Sequence, residues 1–184
     1  MNPSLQTKPQ SHSQPQLTLD SPAFVDGEDL PRIYTAEGSD LSPPLHWDGI
    51  PEGTASFVLF FEDLAVTDQN WVHWLLFDIP ANVRGLPAGV PCSPSLTNGA
   101  RHGLGWGFQE YSRLGYQGPA RSLPPCLRKP DHNSGRHQLR FTLFALDQKL
   151  ALPVGTPAPL VREEMDGHQL AIARLNCCYG KTIG

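Results

Sequence analysis

Proline sets the limits on what this chain can fold into. It stands at 19 of the 184 positions, from Pro3 to Pro159. Each interior proline removes a backbone donor and clashes with the preceding helical turn. Glycine holds 17 more positions, so the two make about a fifth of the chain, where about 12% is usual. That spacing argues against a helical bundle or a coiled coil. It favours short strands separated by Pro/Gly turns. The length suits one ordinary domain, which would bury roughly 70% of its unfolded surface.

Charge and hydropathy remove further classes. The formal net charge is −4 and no basic block is present, so no nucleic-acid partner is expected through phosphate neutralisation. The longest unbroken apolar run is Phe57 to Phe61. A spanning helix needs about 20 apolar residues, so the chain is not expected to span a membrane. Residues 1–16, MNPSLQTKPQSHSQPQ, have neither the basic start nor the apolar stretch of a signal peptide. Ten of these sixteen are Gln, Ser or Pro, too polar to offset the entropy of ordering. The expected organisation is a disordered tail over 1–18, one domain over 19–184, and a cytoplasmic location. Cys92, Cys126, Cys177 and Cys178 contain no CxxC. They read as reduced, packing thiols rather than as zinc ligands.

Three segments carry strong strand patterns. Residues 56–63, SFVLFFED, form a continuous apolar run of strand length. Residues 73–79 alternate, which predicts His73, Leu75, Phe77 and Ile79 on one face. Residues 137–147 alternate as well, with His137, Leu139, Phe141, Leu143 and Ala145 on one face. Residues 168–179 fit a strand or a helix. Residues 158–167 predict one short helix ending at Gly167. The stretch 80–136 is proline-rich, with weak strand signals. Its portion from Ala120 to Arg136 carries Arg121, Arg128, Lys129 and Arg136 against one acid, Asp131. Antiparallel strands with small helical additions predict a β-sandwich.

Three polar residues stand at strand ends. Asp63 closes the first strong strand, His73 opens the second and His137 opens the third. Antiparallel neighbours place the exit of one strand beside the entrance of the next, so Asp63 and His73 meet at one end of a sheet. The alternation turns both histidines toward the core face, where they line one concavity with Asp63 at its rim. Such a pocket suits an anion, because imidazoles donate hydrogen bonds and carry charge when protonated. Asp63 would fix one imidazole tautomer and raise its pKa. A two-histidine, one-carboxylate metal site is the weaker reading of the same residues. No nucleophile elbow, HExxH or P-loop occurs. The GLGWG at 103–107 departs from the dinucleotide fingerprint and reads as a glycine-rich turn.

Several ordered motifs together resemble the phosphatidylethanolamine-binding protein family, also called Raf kinase inhibitor-like proteins, in its bacterial and archaeal branch. They are SPAFVDGEDLPRIYT at 21–35, SPPLHWDGIPEGTASFVLFFED at 42–63, WVHWLLFDIPA at 71–81, LGYQGP at 114–119, RFTLFALD at 140–147 and MDGHQLAIARLNCCYGK at 165–181. The resemblance implies a sandwich of two antiparallel sheets (Greek-key type) with short helical structure near the C-terminus. It implies a small anion pocket for phosphate, carboxylates or phospholipid head groups. The residues matching that pocket are Asp63, Trp71, His73, Gly118, Pro119 and His137. The family's second acidic-turn aspartate and the proline after it are replaced by Ala65 and Thr67. A pocket tyrosine is replaced by Leu139, and the loop from Pro119 to His137 is longer than usual.

The expected function is therefore that of a non-enzymatic binding protein for a small anion or a phosphorylated head group. No cofactor, catalytic residue or resident metal is expected. The alternatives are a regulatory protein acting on a kinase or protease through its surface, and a hydrolase using His73 or His137 as general base. A protein partner and a homodimer are left open.

Overall fold

The computed structural model describes residues 16–64, 71–105, 113–120 and 135–180. Among these residues eight strands form two antiparallel sheets. The smaller has the order β1-β2-β5, from Thr18–Asp20, Leu45–Asp48 and Gly85–Leu86. The larger has the order β6-β4-β3-β7-β8. Its strands are β6 (Arg101–His102), β4 (Trp71–Pro80), β3 (Ser56–Asp63), β7 (His137–Leu146) and β8 (Gln169–Tyr179). One short helix, α1 (Ala158–Met165), follows β7. Prolines at 157 and 159 preset its first turn, and Gly167 leaves it with φ +77°. The expected β-sandwich is the fold observed.

The centre of the large sheet is β3, and all eight of its residues are buried. Phe57, Leu59 and Phe61 face the small sheet and join Leu19, Leu45, Trp47, Trp74, Leu76, Phe141 and Leu143 in the main core. Val58 and Phe60 face the other way and join Leu75, Phe77, Phe144, Val161 and Met165 beneath α1. This two-sided burial explains why the strand reads as a continuous apolar run rather than an alternation. Glu62 stands on the helix side, where Arg162 donates to its carboxylate and stacks over the Phe60 ring at 4.1 Å. The ambiguous segment 168–179 is a strand, paired with β7 from Gln169 to Tyr179, with one register shift at Leu170.

Three expectations are corrected. The alternation along 73–79 is broken twice by register shifts between β3 and β4. Near the C-terminal end, Asp78 takes φ +55° and Ile79 crosses to the main core, while Leu75 and Phe77 stay beneath α1. Near the start, Phe61 pairs with Trp74 and Glu62 with Val72, which leaves His73 as the extra residue of a bulge. The His73 ring then lies 5.2 Å from Phe61, on the face opposite Leu75 and Phe77. The third correction concerns the tail boundary. Leu17 is buried in the main core and Thr18 opens β1, two residues ahead of the next buried leucine in line, Leu19, which pairs with Trp47 across β1 and β2. Residues 1–15 lie outside the described residues.

Asp78 is a buried carboxylate with a defined task. It accepts the backbone N–H of Leu150 at 2.8 Å and of Ala151 at 3.2 Å. The Asp78→Ala variant is expected to lose about 1–3 kcal/mol of unfolding free energy by leaving both donors unsatisfied. Asp78→Gly, which relieves the positive φ but removes the same acceptor, is expected to lose a similar amount. Urea denaturation of both variants checks this.

Candidate functional site

The strand order puts the predicted polar residues side by side. In register, Asp63 of β3 faces Trp71 of β4 on one side and Leu139 of β7 on the other. Asp63 and His137 both point to the main-core face. The bulge swings His73 onto that face as well. Without it, the two-residue period would send His73 to the helix side with Leu75. The juxtaposition expected from parity is therefore present, and the bulge is what produces it.

His137 Nδ1 lies 2.6 Å from Asp63 Oδ2. The carboxylate side chain is only 7% exposed, while the imidazole keeps 24% of its surface in solvent. Nδ1–H donates to the carboxylate, which leaves Nε2 as the second donor of the protonated ring. The bond to Asp63, followed by its charge, outweighs burial and raises the His137 pKa above 6.5. His73 behaves oppositely. Burial dominates and pushes its pKa down to about 4, against the pull of Asp63 and a backbone hydrogen bond with Gln117, and with the help of the nearby His137. One imidazole is thus held cationic and the other neutral near pH 6, within reach of each other's charge.

The loop carrying Gly118 and Pro119 is fastened at several points. Gln117 N–H donates to the His73 carbonyl at 3.1 Å, and Ala36 N–H donates to the Pro119 carbonyl at 3.1 Å. Tyr116 stacks on Phe61, at 5.6 Å between ring centroids, and donates its hydroxyl to the Tyr34 carbonyl at 2.6 Å. Asp40 accepts the Gly118 N–H at 2.6 Å. A side chain at 118 would meet the Tyr34 carbonyl oxygen at 2.5 Å, so only glycine lets this loop lie against the 34–40 turn. Asp63, Trp71, His73, Gly118, Pro119 and His137 consequently share one end of the sandwich.

Sequence reasoning missed the residues that hold this arrangement. Tyr116 lies inside LGYQGP but was not singled out there. Asp40 adopts φ +54°, a conformation that aspartate tolerates better than most residues, and GSD was the available signal. Tyr179 faces His137 across β7 and β8, with ring centroids 6.5 Å apart. Its hydroxyl lies 2.6 Å from both carboxylate oxygens of Glu37. Leu139 is fully buried in the main core, so the position of the expected tyrosine is packed away.

Other expectations fall elsewhere. Arg136 pairs with Asp29 at 2.9 Å. Arg121, Arg128, Lys129, Cys126, Ala65 and Thr67 lie outside the described residues. Gly103 and Gly105 of the GLGWG stretch press against β4, where a Cβ would strike Leu75 and the Val72 carbonyl. Among the described residues no group of three or more His, Cys, Asp or Glu is arranged to hold a metal ion. No helix among them is long and apolar enough to cross a membrane.

Comparison with known proteins agrees with this fold. The family model described as phosphatidylethanolamine-binding protein matches residues 20–180, and the chain belongs to that family. A UPF0098 protein of Methanothermobacter thermautotrophicus is 36% identical over 163 residues, covering 89% of this chain and 98% of the relative. One from Aquifex aeolicus is 35% identical over 160 residues, covering 86% and 85%. Among solved structures, Escherichia coli YbcL, described as a member of the mammalian PEBP family, superposes with a TM-score of 0.74 at 28% identity. It covers 91% of this chain and 99% of its own. The PEBP homolog CT736 of Chlamydia trachomatis has the same TM-score and coverage at 29% identity.

Two pH effects of opposite sign follow from the histidines. His137 has a folded pKa raised above its unfolded value, so its stabilisation is present below pH 6.5 and is lost as pH rises through the folded value. NMR titration is expected to put its midpoint above 6.5, and Asp63→Asn is expected to bring that midpoint down. The lowered pKa of His73 stabilises the fold above pH 6.5, and that stability drains away toward pH 4. The full interval is worth roughly 3 kcal/mol. Urea midpoints are expected to fall on acidification from pH 6.5 to 4, and less steeply in His73→Phe.

Proposed function

We propose that this protein is a non-enzymatic binding protein whose site takes a small anion: phosphate, a carboxylate or the phosphorylated head group of a larger molecule. The observation that carries the reading is the Asp63–His137 pair at 2.6 Å. It holds a partly exposed imidazolium whose Nε2–H is the second donor of the ring. A protonated donor of this kind makes charge-assisted hydrogen bonds, which are roughly twice as strong as neutral ones. His73, kept neutral by burial, supplies an uncharged imidazole beside it. Trp71 and Pro119 form walls, and the loop at Gly118 brings its backbone close. The family's description, that of a protein binding phosphatidylethanolamine, is consistent with a head group that carries a phosphate. No observation among the described residues favours the hydrolase or the kinase- or protease-directed alternative.

Thermal unfolding with inorganic phosphate, phosphoethanolamine and acetate tests this. A binding anion stabilises the fold, by about 2.7 kcal/mol at one hundred times Kd. That gain is expected to vanish in His137→Ala. Titration calorimetry is expected to show affinity falling as pH rises through the His137 pKa. No stabilisation by any of the three, or a stabilisation equal in His137→Ala, would sink the proposal.

A further inference from the structure

A second cavity borders the anion site. It measures about 200 Å³, and Asp29, Arg32, Thr35, Glu37 and Tyr179 are among its walls. Two of these residues connect it to the site. Tyr179 pairs with His137 across β7 and β8, with the two rings 6.5 Å apart. Thr35 lies against the loop at Gly118, where a Cβ would come within 2.8 Å of the Thr35 Cα. Backbone bonds hold the walls in place. Leu30 N–H donates to the Cys178 carbonyl and Cys178 N–H to the Glu28 carbonyl, both at 2.8 Å. Thr35 N–H closes the Arg32–Tyr34 turn on the Arg32 carbonyl. A group attached to an anion at His137 therefore meets a cavity that is already formed.

The walls carry both signs of charge and both halves of a hydrogen bond. Asp29 and Glu37 offer carboxylate acceptors, and Arg32 offers guanidinium donors. Arg136 holds Asp29 at 2.9 Å. The Tyr179 hydroxyl donates to Glu37 at 2.6 Å, and the Thr35 hydroxyl donates to the Arg32 carbonyl at 2.9 Å. Both hydroxyl oxygens keep acceptor lone pairs. A second phosphate in this cavity would face two carboxylates. An ammonium group would face two guanidiniums, and the carboxylates it needs are already engaged. A hydroxyl donates and accepts at once, so several hydroxyls on one carbon frame match these walls without adding charge. The Tyr179 ring supplies an apolar surface for the C–H side of such a frame. At about 30 Å³ of liquid volume per water, the cavity has the size of about seven waters, which suits one small polyol rather than an acyl chain.

We propose that this cavity takes the polyol of a phosphorylated polyol, such as a sugar phosphate or an inositol phosphate, whose phosphate sits at His137. The inference rests on the anion reading of the site and adds the class of molecule to which the anion belongs. Arg32 and Glu37 make the selection. An aminoalkyl group on the phosphate gains nothing from the cavity.

Titration calorimetry of the full chain near pH 6 tests this with inorganic phosphate, glucose 6-phosphate, myo-inositol 1-phosphate and phosphoethanolamine. At least one polyol phosphate is expected to bind about tenfold more tightly than inorganic phosphate, the gain that two added hydrogen bonds bring. Phosphoethanolamine is expected to bind no more tightly than phosphate. Arg32→Ala, at an exposed position, is expected to keep the phosphate affinity and lose the polyol gain. Glu37→Gln is expected to lose the gain as well, measured against its own phosphate affinity. Given the gain, co-sedimentation with phosphatidylinositol vesicles assigns the polyol phosphate to a lipid, and no co-sedimentation assigns it to a free compound. Equal affinity for phosphate and both polyol phosphates, a gain that both substitutions leave intact, or an equal gain with phosphoethanolamine overturns the proposal. A wild-type chain that binds none of the four compounds overturns the anion site itself, so the two failures are distinguishable.

Discussion

The geometry of the site depends on β3 having no solvent-facing side. Its apolar residues alternate between two cores, and both cores are filled by aromatic rings. Phe61 stacks on Phe141 at 4.0 Å and on Tyr116 at 5.6 Å, while Phe60 meets Phe144 edge-on at 5.9 Å. A strand clamped in this way cannot slip by one residue without exchanging its two faces. Its last two residues inherit that rigidity. Glu62 and Asp63 are adjacent acids on opposite faces, one held by Arg162 of the helix and the other by His137. The acid that matters for the anion is therefore fixed by packing that begins several residues earlier.

The two histidines illustrate how position sets chemistry. Both are imidazoles near the same carboxylate. His137 keeps contact with water and bonds Asp63 directly, so its cationic form is favoured. His73 is sealed beneath the ring of Phe61, and desolvation outweighs the same acid. A third histidine, His102, is also buried and also lowered, chiefly by desolvation. Its Nδ1 accepts from Trp74 Nε1 at 3.3 Å and its Nε2 faces the Pro91 carbonyl at 3.0 Å. That ring joins a loop to the sheet and has no outward-facing nitrogen. A histidine near a site thus differs from a structural one by what its second nitrogen faces, which sequence does not record.

Much of the fold was legible because long strands carry long signals. The run at 56–63 and the alternation at 137–147 each gave a strand, and Gly167 marked the end of α1. The strands β1, β2, β5 and β6 have two to four residues each, too few for a period to register. β8 stayed ambiguous because its outward side, with Leu170 and Ile172, is as apolar as parts of its inward side. The site residues Asp63, His73 and His137 could be named from strand ends. The route to His73 was mistaken, since alternation places it with Leu75 and a bulge relocates it. Asp40, Tyr116 and Tyr179 escaped notice because their contacts are remote in sequence, Tyr179 to Glu37 spanning 142 residues.

The bulge has a consequence for how such a site can be gained or lost. The presence of His73 on the Asp63 side is encoded in a count of residues, one more on β4 than on β3. Substitutions around it alter the lining by degrees. Removing Val72 would keep every amino acid type the site uses, restore a regular ladder, and turn the imidazole toward α1. A lineage could lose the paired histidines by a single codon deletion while retaining the sandwich, and a descendant sequence would still read as intact to any inspection that scores identities without counting spacing.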